Sequence, residues 1–135
     1  MPYPEHACAL LLDHAGWLVL QLRPASARHA ANQLTCYGGK CEPGEDASTC
    51  LGRELEEELG WQPGPLPDTG IDLRADDRWI ARFLPVTLPS GVVIRPEPGF
   101  IPIRAPLASL PGLPLSPWHR LVLTAWQAGT QIVHL

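Results

Sequence analysis

Residues Gly38 to Trp61 read GGKCEPGEDASTCLGRELEEELGW, and their pattern governs the reading of the whole chain. Paired glycines predict a turn, and Asp46 then has the right chemistry to cap a helix running to Leu59, with Gly60 as its C-terminal glycine. Leu51, Leu55 and Leu59 recur every four residues and predict the core-facing stripe. Gly52 inside this helix costs about 1 kcal/mol relative to Ala, which predicts a close packing contact there. Seven of the fourteen Asp and Glu residues fall between Glu42 and Glu58. On a helix Glu54, Glu57 and Glu58 share one side, and each like-charged pair costs roughly 0.2–0.5 kcal/mol. No lysine is interleaved to relieve them. A divalent cation would turn that cost into binding.

The remaining composition sets the frame. A chain of 135 residues is read as one domain, residues 1–135, long enough to bury its own core. Sixteen prolines and twelve glycines favour short elements joined by turns. A net charge of -4, with no basic run, argues against a nucleic-acid polymer as partner. No apolar run reaches the ~18 residues of a membrane span, and the N-terminus lacks a basic signal-peptide region. The expectation is a cytoplasmic protein with reduced thiols. Its four cysteines form no C-x-x-C pair, which argues against zinc. Cys8 and Cys50 read as core residues, whereas Cys36 and Cys41 flank the glycines and are candidates for oxidation.

Outside the key stretch, His6–Asp13 and Trp17–Arg23 predict a hairpin around His14-Ala15-Gly16. Leu34–Tyr37 predicts a short strand. Arg78–Leu88 alternates like a strand, with Trp79, Ala81 and Phe83 on one side, and Ser90-Gly91 predicts a second hairpin into Val92–Arg95. Phe100–Arg104 predicts another strand. A proline-bounded loop follows, then a helix capped by Ser116, with Pro117 at its first position, that runs to about Ala128 and offers Leu121, Val122 and Ala125 to the core. Strands before, between and after two helices give an α/β or α+β domain.

Charge alone would be explained by an ordinary solvated acidic face. Spacing decides otherwise. Gly39, five residues, Glu45, seven residues, then Arg53-Glu54-Leu55-x-Glu57-Glu58-x-Gly60-Trp61 resembles the Nudix box, G-x5-E-x7-R-E-U-x-E-E-x-G-U, with all seven fixed types in place. A chance match is on the order of one in a hundred million per start position. The one departure is Trp61, where the family usually has an aliphatic residue. Resemblance to Nudix hydrolases of MutT type implies an α+β sandwich, a mixed β-sheet between helices. It also implies hydrolysis of a pyrophosphate link in a nucleoside diphosphate derivative. By position, Glu54, Glu57 and Glu58 match the family's magnesium ligands, with the carbonyl of Gly39 or Gly38 as a further one. Mn2+ is the expected substitute. Arg53 matches the residue that orients the glutamates, and Glu45 its partner. Glu54 is the first candidate for general base and Glu97, in a later loop, the external one.

The implied partner is a small-molecule nucleotide. The compact length resembles nucleoside triphosphate pyrophosphohydrolases, and Tyr37-Gly38-Gly39-Lys40 resembles the entry of some oxidised-nucleotide sanitising members. Signals of the ADP-ribose type (Asp76 replaces a proline), the dinucleoside polyphosphate type (no tyrosine around Asp77–Trp79) and the coenzyme A type (only Arg23 and Arg28 match) are missing or fragmentary. Those three types, and a nucleotide-binding module without catalysis, are the alternatives. Tyr37, Trp79, Phe83 and Trp118 are the aromatics available to stack on a base; Arg23, Lys40 and Glu97 complete the candidate substrate contacts.

Overall fold

The computed structural model describes residues 3–135. Its strands are β1 (His6–Asp13), β2 (Leu18–Leu22), β3 (Leu34–Thr35), β4 (Gly38–Lys40), β5 (Ile71–Ala75), β6 (Arg78–Leu88), β7 (Ile101–Ala105) and β8 (Ile132–His134). Two helices, α1 (Ala47–Leu59) and α2 (Pro117–Gln127), and a 3-10 segment at Leu107–Gly112 complete the order. The strands form one mixed sheet in the order β3-β2-β1-β6-β5-β8, with β4 also on β1 and β7 also on β2. β1 runs parallel to β6 from His6↔Ala81 to Asp13↔Leu88, and β5 runs parallel to β8. The other pairings are antiparallel.

Each helix covers one apolar surface of the sheet. Leu51, Leu55 and Leu59 of α1 are fully buried with Ala7, Ala9, Leu11, Val19, Leu84 and Val86. Val122 and Leu123 of α2 pack instead with Leu10, Leu18, Leu20, Ile80 and Phe83. This is the α+β sandwich expected. Strands buried on both sides explain why β1 reads as a nearly continuous apolar run.

The α1 boundaries follow the cap chemistry. Asp46 accepts a hydrogen bond from the Thr49 N–H at 2.8 Å, and Gly60 closes the helix in the left-handed region at φ 64. The first hairpin forms as read, fixed by Asp13, whose carboxylate accepts from the N–H groups of Ala15 and Trp17, each at 2.9 Å.

Five local expectations are corrected. Gly38 and Gly39 are not a turn but the strand β4, paired with Cys8 and Ala7 of β1. Glycine is required there by proximity, since a Cβ on Gly38 would lie 2.2 Å from the Ala7 carbonyl oxygen. The second hairpin joins β5 to β6 through Asp76-Asp77, not β6 to Val92–Arg95. That later segment instead lies on the end of α1, with the Arg95 N–H donating to the Leu59 carbonyl at 2.7 Å. Gly52 meets nothing within 4 Å of an added Cβ, so no packing contact explains it. Leu121 is 45% exposed while Leu123 takes the core position. Ser116 stands at the N-cap of α2 without a side-chain capping bond, leaving Pro117 as the start signal.

Candidate active site

The acidic face of α1 packs beneath β4, and an arginine organises it. Arg53 Nε donates to Glu45 Oε2 at 2.9 Å and Arg53 Nη2 to Glu45 Oε1 at 2.8 Å, a two-pronged pair. Arg53 Nη1 reaches Glu54 at 3.0 Å and Glu57 at 3.4 Å, and Nη2 donates to the Lys40 carbonyl at 3.1 Å. One guanidinium thus joins the loop before α1, two turns of the helix and the end of β4. The Arg53 hydrogen bonds pull the Glu45 carboxyl down to about 2, and Glu45 in turn raises the pKa of Arg53.

Glu54 and Glu58 lie against the two glycines. A Cβ on Gly39 would stand 2.5 Å from the Glu54 carboxyl carbon, so only glycine leaves room for that carboxylate. Glu58 accepts from the Gly38 N–H at 2.8 Å and from Gln21 Nε2 at 3.3 Å. Burial pushes Glu58 up to about 8, against the Gly38 hydrogen bond, with the Glu54 and Glu97 charges adding to the rise. Burial also raises Glu54. The Glu57 side chain is more open, at 57% exposure.

These three carboxylates do not converge on one point. Among the described residues, the cluster whose ligand atoms all lie within 4.8 Å of one another is Cys41, Glu45 and Cys50. The glutamate array is therefore spread along the helix, a donor set of oxygens with space between them. An all-oxygen set fits a hard divalent cation that retains several waters. The elevated Glu58, short of counter-charge, fits the same group.

β4 has a second neighbour. A cavity of about 710 Å3 is lined by Gly38, Gly39 and Lys40, by Thr35 and Cys36, and by His119 and Phe83 deeper in the fold. Arg23, His29 and Trp118 also line it, and among the described residues no Asp or Glu does. The candidate substrate contacts divide here. Arg23, Lys40, Phe83 and Trp118 face the cavity, whereas Tyr37 is fully buried in the α1 core and is removed as a stacking surface. Trp79 is removed too, because Arg74 and Arg82 stack on its ring at 4.8 Å and 4.5 Å and its Nε1 donates to Asp72 at 3.1 Å. Arg28 does not line the cavity. Glu97 is exposed in the loop before β7, close enough for its charge to act on Glu58.

His119 and Thr35 are the residues that sequence reasoning missed. The Cys36 N–H donates to His119 Nδ1 at 3.0 Å, which places the ring proton on Nε2. Burial lowers His119 to about 4, so it is neutral at pH 7 and an N–H donor. Its ring stands edge-on to Phe83 at 5.5 Å. The Thr35 hydroxyl is buried without a hydrogen-bond partner among the described residues. The sequence carries no signal for either, since both roles depend on β3 meeting α2.

Known proteins share the fold. The NUDIX domain family model matches residues 2–125. The chain belongs to the Nudix hydrolase family. A MutT protein from Methanosarcina mazei Go1 is 20% identical at a TM-score of 0.71, with 95% of each chain covered. A MutT NUDIX hydrolase from Burkholderia pseudomallei is 25% identical at a TM-score of 0.65, covering 88% of this chain and 94% of its own. An Ap4A hydrolase from C. elegans is 17% identical at a TM-score of 0.70, covering 92% of this chain and 96% of its own. No curated protein matches the sequence. Among the described residues, no helix is long and apolar enough to cross a membrane.

Proposed function

We propose that this Nudix protein is a Mg2+-dependent pyrophosphohydrolase of a nucleoside triphosphate, ordinary or oxidised, with Mn2+ as a substitute ion. The observation that carries this reading is the shared strand β4. One neighbour of β4 is the glutamate array and the other is a cavity with room for a nucleoside. A substrate lying across β4 would present its phosphates to the array while its base enters the cavity.

Glu54, Glu57, Glu58 and the Gly39 carbonyl would hold the ion, which when bound neutralises phosphate charge and acidifies a water. Arg53, tied to Glu45, fixes the directions of Glu54 and Glu57. Glu54, whose pKa burial raises, is the base that takes the proton from the attacking water. Glu97 is the external alternative for that role. Lys40 and Arg23 supply positive charge at the cavity, and Trp118 supplies an exposed aromatic surface for the base. The neutral His119 offers its Nε2–H to a carbonyl or ring nitrogen of that base.

The test is a phosphate-release screen with magnesium over ordinary and oxidised (d)NTPs, dinucleoside polyphosphates, nucleotide sugars and coenzyme A. Turnover is expected with at least one triphosphate, yielding a monophosphate and pyrophosphate. It should fall by about two orders of magnitude or more in Glu57→Gln and Glu58→Gln. Unchanged turnover in both variants would refute the proposal.

A further inference from the structure

Cys41 and Cys50, nine positions apart in the sequence, are brought together with Glu45 so that two thiols and a carboxylate oxygen lie within 4.8 Å of one another. Cys41 follows β4, Glu45 lies in the intervening loop and Cys50 is in the first turns of α1. All four cysteines are free, and Cys8 and Cys36 belong to the opposite core, beside α2. The Cys41–Cys50 pair is therefore the one dithiol among the described residues that shares its position with a carboxylate. The lack of a C-x-x-C motif conceals it, because the fold supplies the proximity.

Thiolate sulfur and carboxylate oxygen differ in softness. The glutamate array on α1 is all oxygen and suits magnesium; a Cys-Cys-Glu set suits a thiophilic divalent cation and holds magnesium poorly. We infer that Cys41, Cys50 and Glu45 form a binding site for a thiophilic divalent cation, Zn2+ or Cd2+, distinct from the glutamate array. Binding forms two sulfur–metal bonds and releases one proton from each thiol to solvent, with no change of oxidation state. The fourth position belongs to water.

Occupancy has a consequence for the array. Both Glu45 oxygens are engaged by Arg53, and Oε1 also accepts from the Glu42 N–H at 2.9 Å. Recruiting Glu45 to the soft ion weakens its pair with Arg53, which also holds Glu54 and Glu57. A soft cation bound here is thus an inhibitor that acts through Arg53 without displacing magnesium. This effect on turnover rests on the proposed hydrolase function; the binding itself does not.

The experiment titrates the full-length protein, kept reduced with a phosphine, with Cd2+ in excess Mg2+. The readout is the ultraviolet charge-transfer absorption of cadmium thiolate, which carboxylates do not produce. One equivalent of Cd2+ should saturate the band, and Cys41→Ala and Cys50→Ser should each abolish it while Cys8→Ala keeps it. Turnover of the best triphosphate should fall by about tenfold or more with Zn2+ in the parent and stay unchanged in Cys41→Ala. No charge-transfer band in the parent, or a band that survives both substitutions, overturns the site. A band without inhibition keeps the site and overturns its coupling to Arg53. Should no substrate turn over, the cadmium titration still decides the site.

Discussion

Glu58 provides a test of the array that needs no substrate. Burial moves its carboxyl from an ordinary 4.5 to about 8. Between those values the folded chain holds a proton that the unfolded chain has released. Stability from this group is therefore fully present below pH 4.5, falls as pH rises, and is gone above about 8. A displacement of that size corresponds to roughly 5 kcal/mol, and relaxation around the ionised carboxylate reduces it to about 2–3 kcal/mol. For 135 residues each kcal/mol is worth about 3.5 °C in Tm, so the expected loss is about 7–10 °C. The assay is thermal denaturation in chelator from pH 5 to 9, comparing the parent with Glu58→Gln. Gln mimics the neutral acid and keeps an oxygen for the Gly38 N–H. The two proteins should match at pH 5, and the Gln variant should be the more stable by pH 9. His119, lowered to about 4, contributes the opposite slope: its stabilisation is present above pH 6.5 and lost as pH falls towards 4. That slope is common to both proteins and cancels in the difference. Added Mg2+ should raise the Tm of the parent more at pH 8 than at pH 6, because below 8 it competes with the Glu58 proton. A parent-minus-variant difference that does not change with pH would refute this account of the site.

Gly52→Ala should stabilise the protein by about 1 kcal/mol, seen as a higher midpoint in urea, because the added methyl meets open space. Gly39→Ala should abolish turnover and reduce Mg2+ affinity in calorimetry while the far-ultraviolet spectrum stays helical, since the methyl takes the space of the Glu54 carboxylate. Thr35→Val should hold or raise Tm, as the lost hydroxyl has no partner and its burial costs about 1–3 kcal/mol. On the proposed function, in which His119 at the cavity contacts the base and not the phosphates, His119→Phe should raise KM for the triphosphate more than it lowers kcat.

The acidic helix was legible because its chemistry is local. Its capping Asp46, its leucine stripe, its closing Gly60 and the spacing of Glu45, Arg53, Glu54, Glu57 and Glu58 all lie within one short stretch. Local hydrogen bonds and helical periodicity turn that stretch directly into geometry. The alternation of apolar runs with two helices left α/β and α+β open, and the resemblance carried by this same stretch implied the α+β sandwich. The tertiary structure decided what depends on distant partners. Gly38-Gly39 looks like a turn until β1 pairs with it, because glycine signals both a bend and a close approach. Ile71–Ala75 became a strand because β6 and β8 flank it, and the same pairing left Val92–Arg95 to cover the end of α1. Tyr37 was chosen for its ring, yet its place after β3 turns that ring into the core. His119 became an Nε2–H donor because burial keeps it neutral and because Cys36, 83 positions away, supplies the N–H that fixes its tautomer. The sequence by itself determined the carboxylates and the arginine that ties them together. The tertiary structure decided which strand they share with a cavity, because strand pairing, unlike a helical turn, joins residues that the sequence keeps apart.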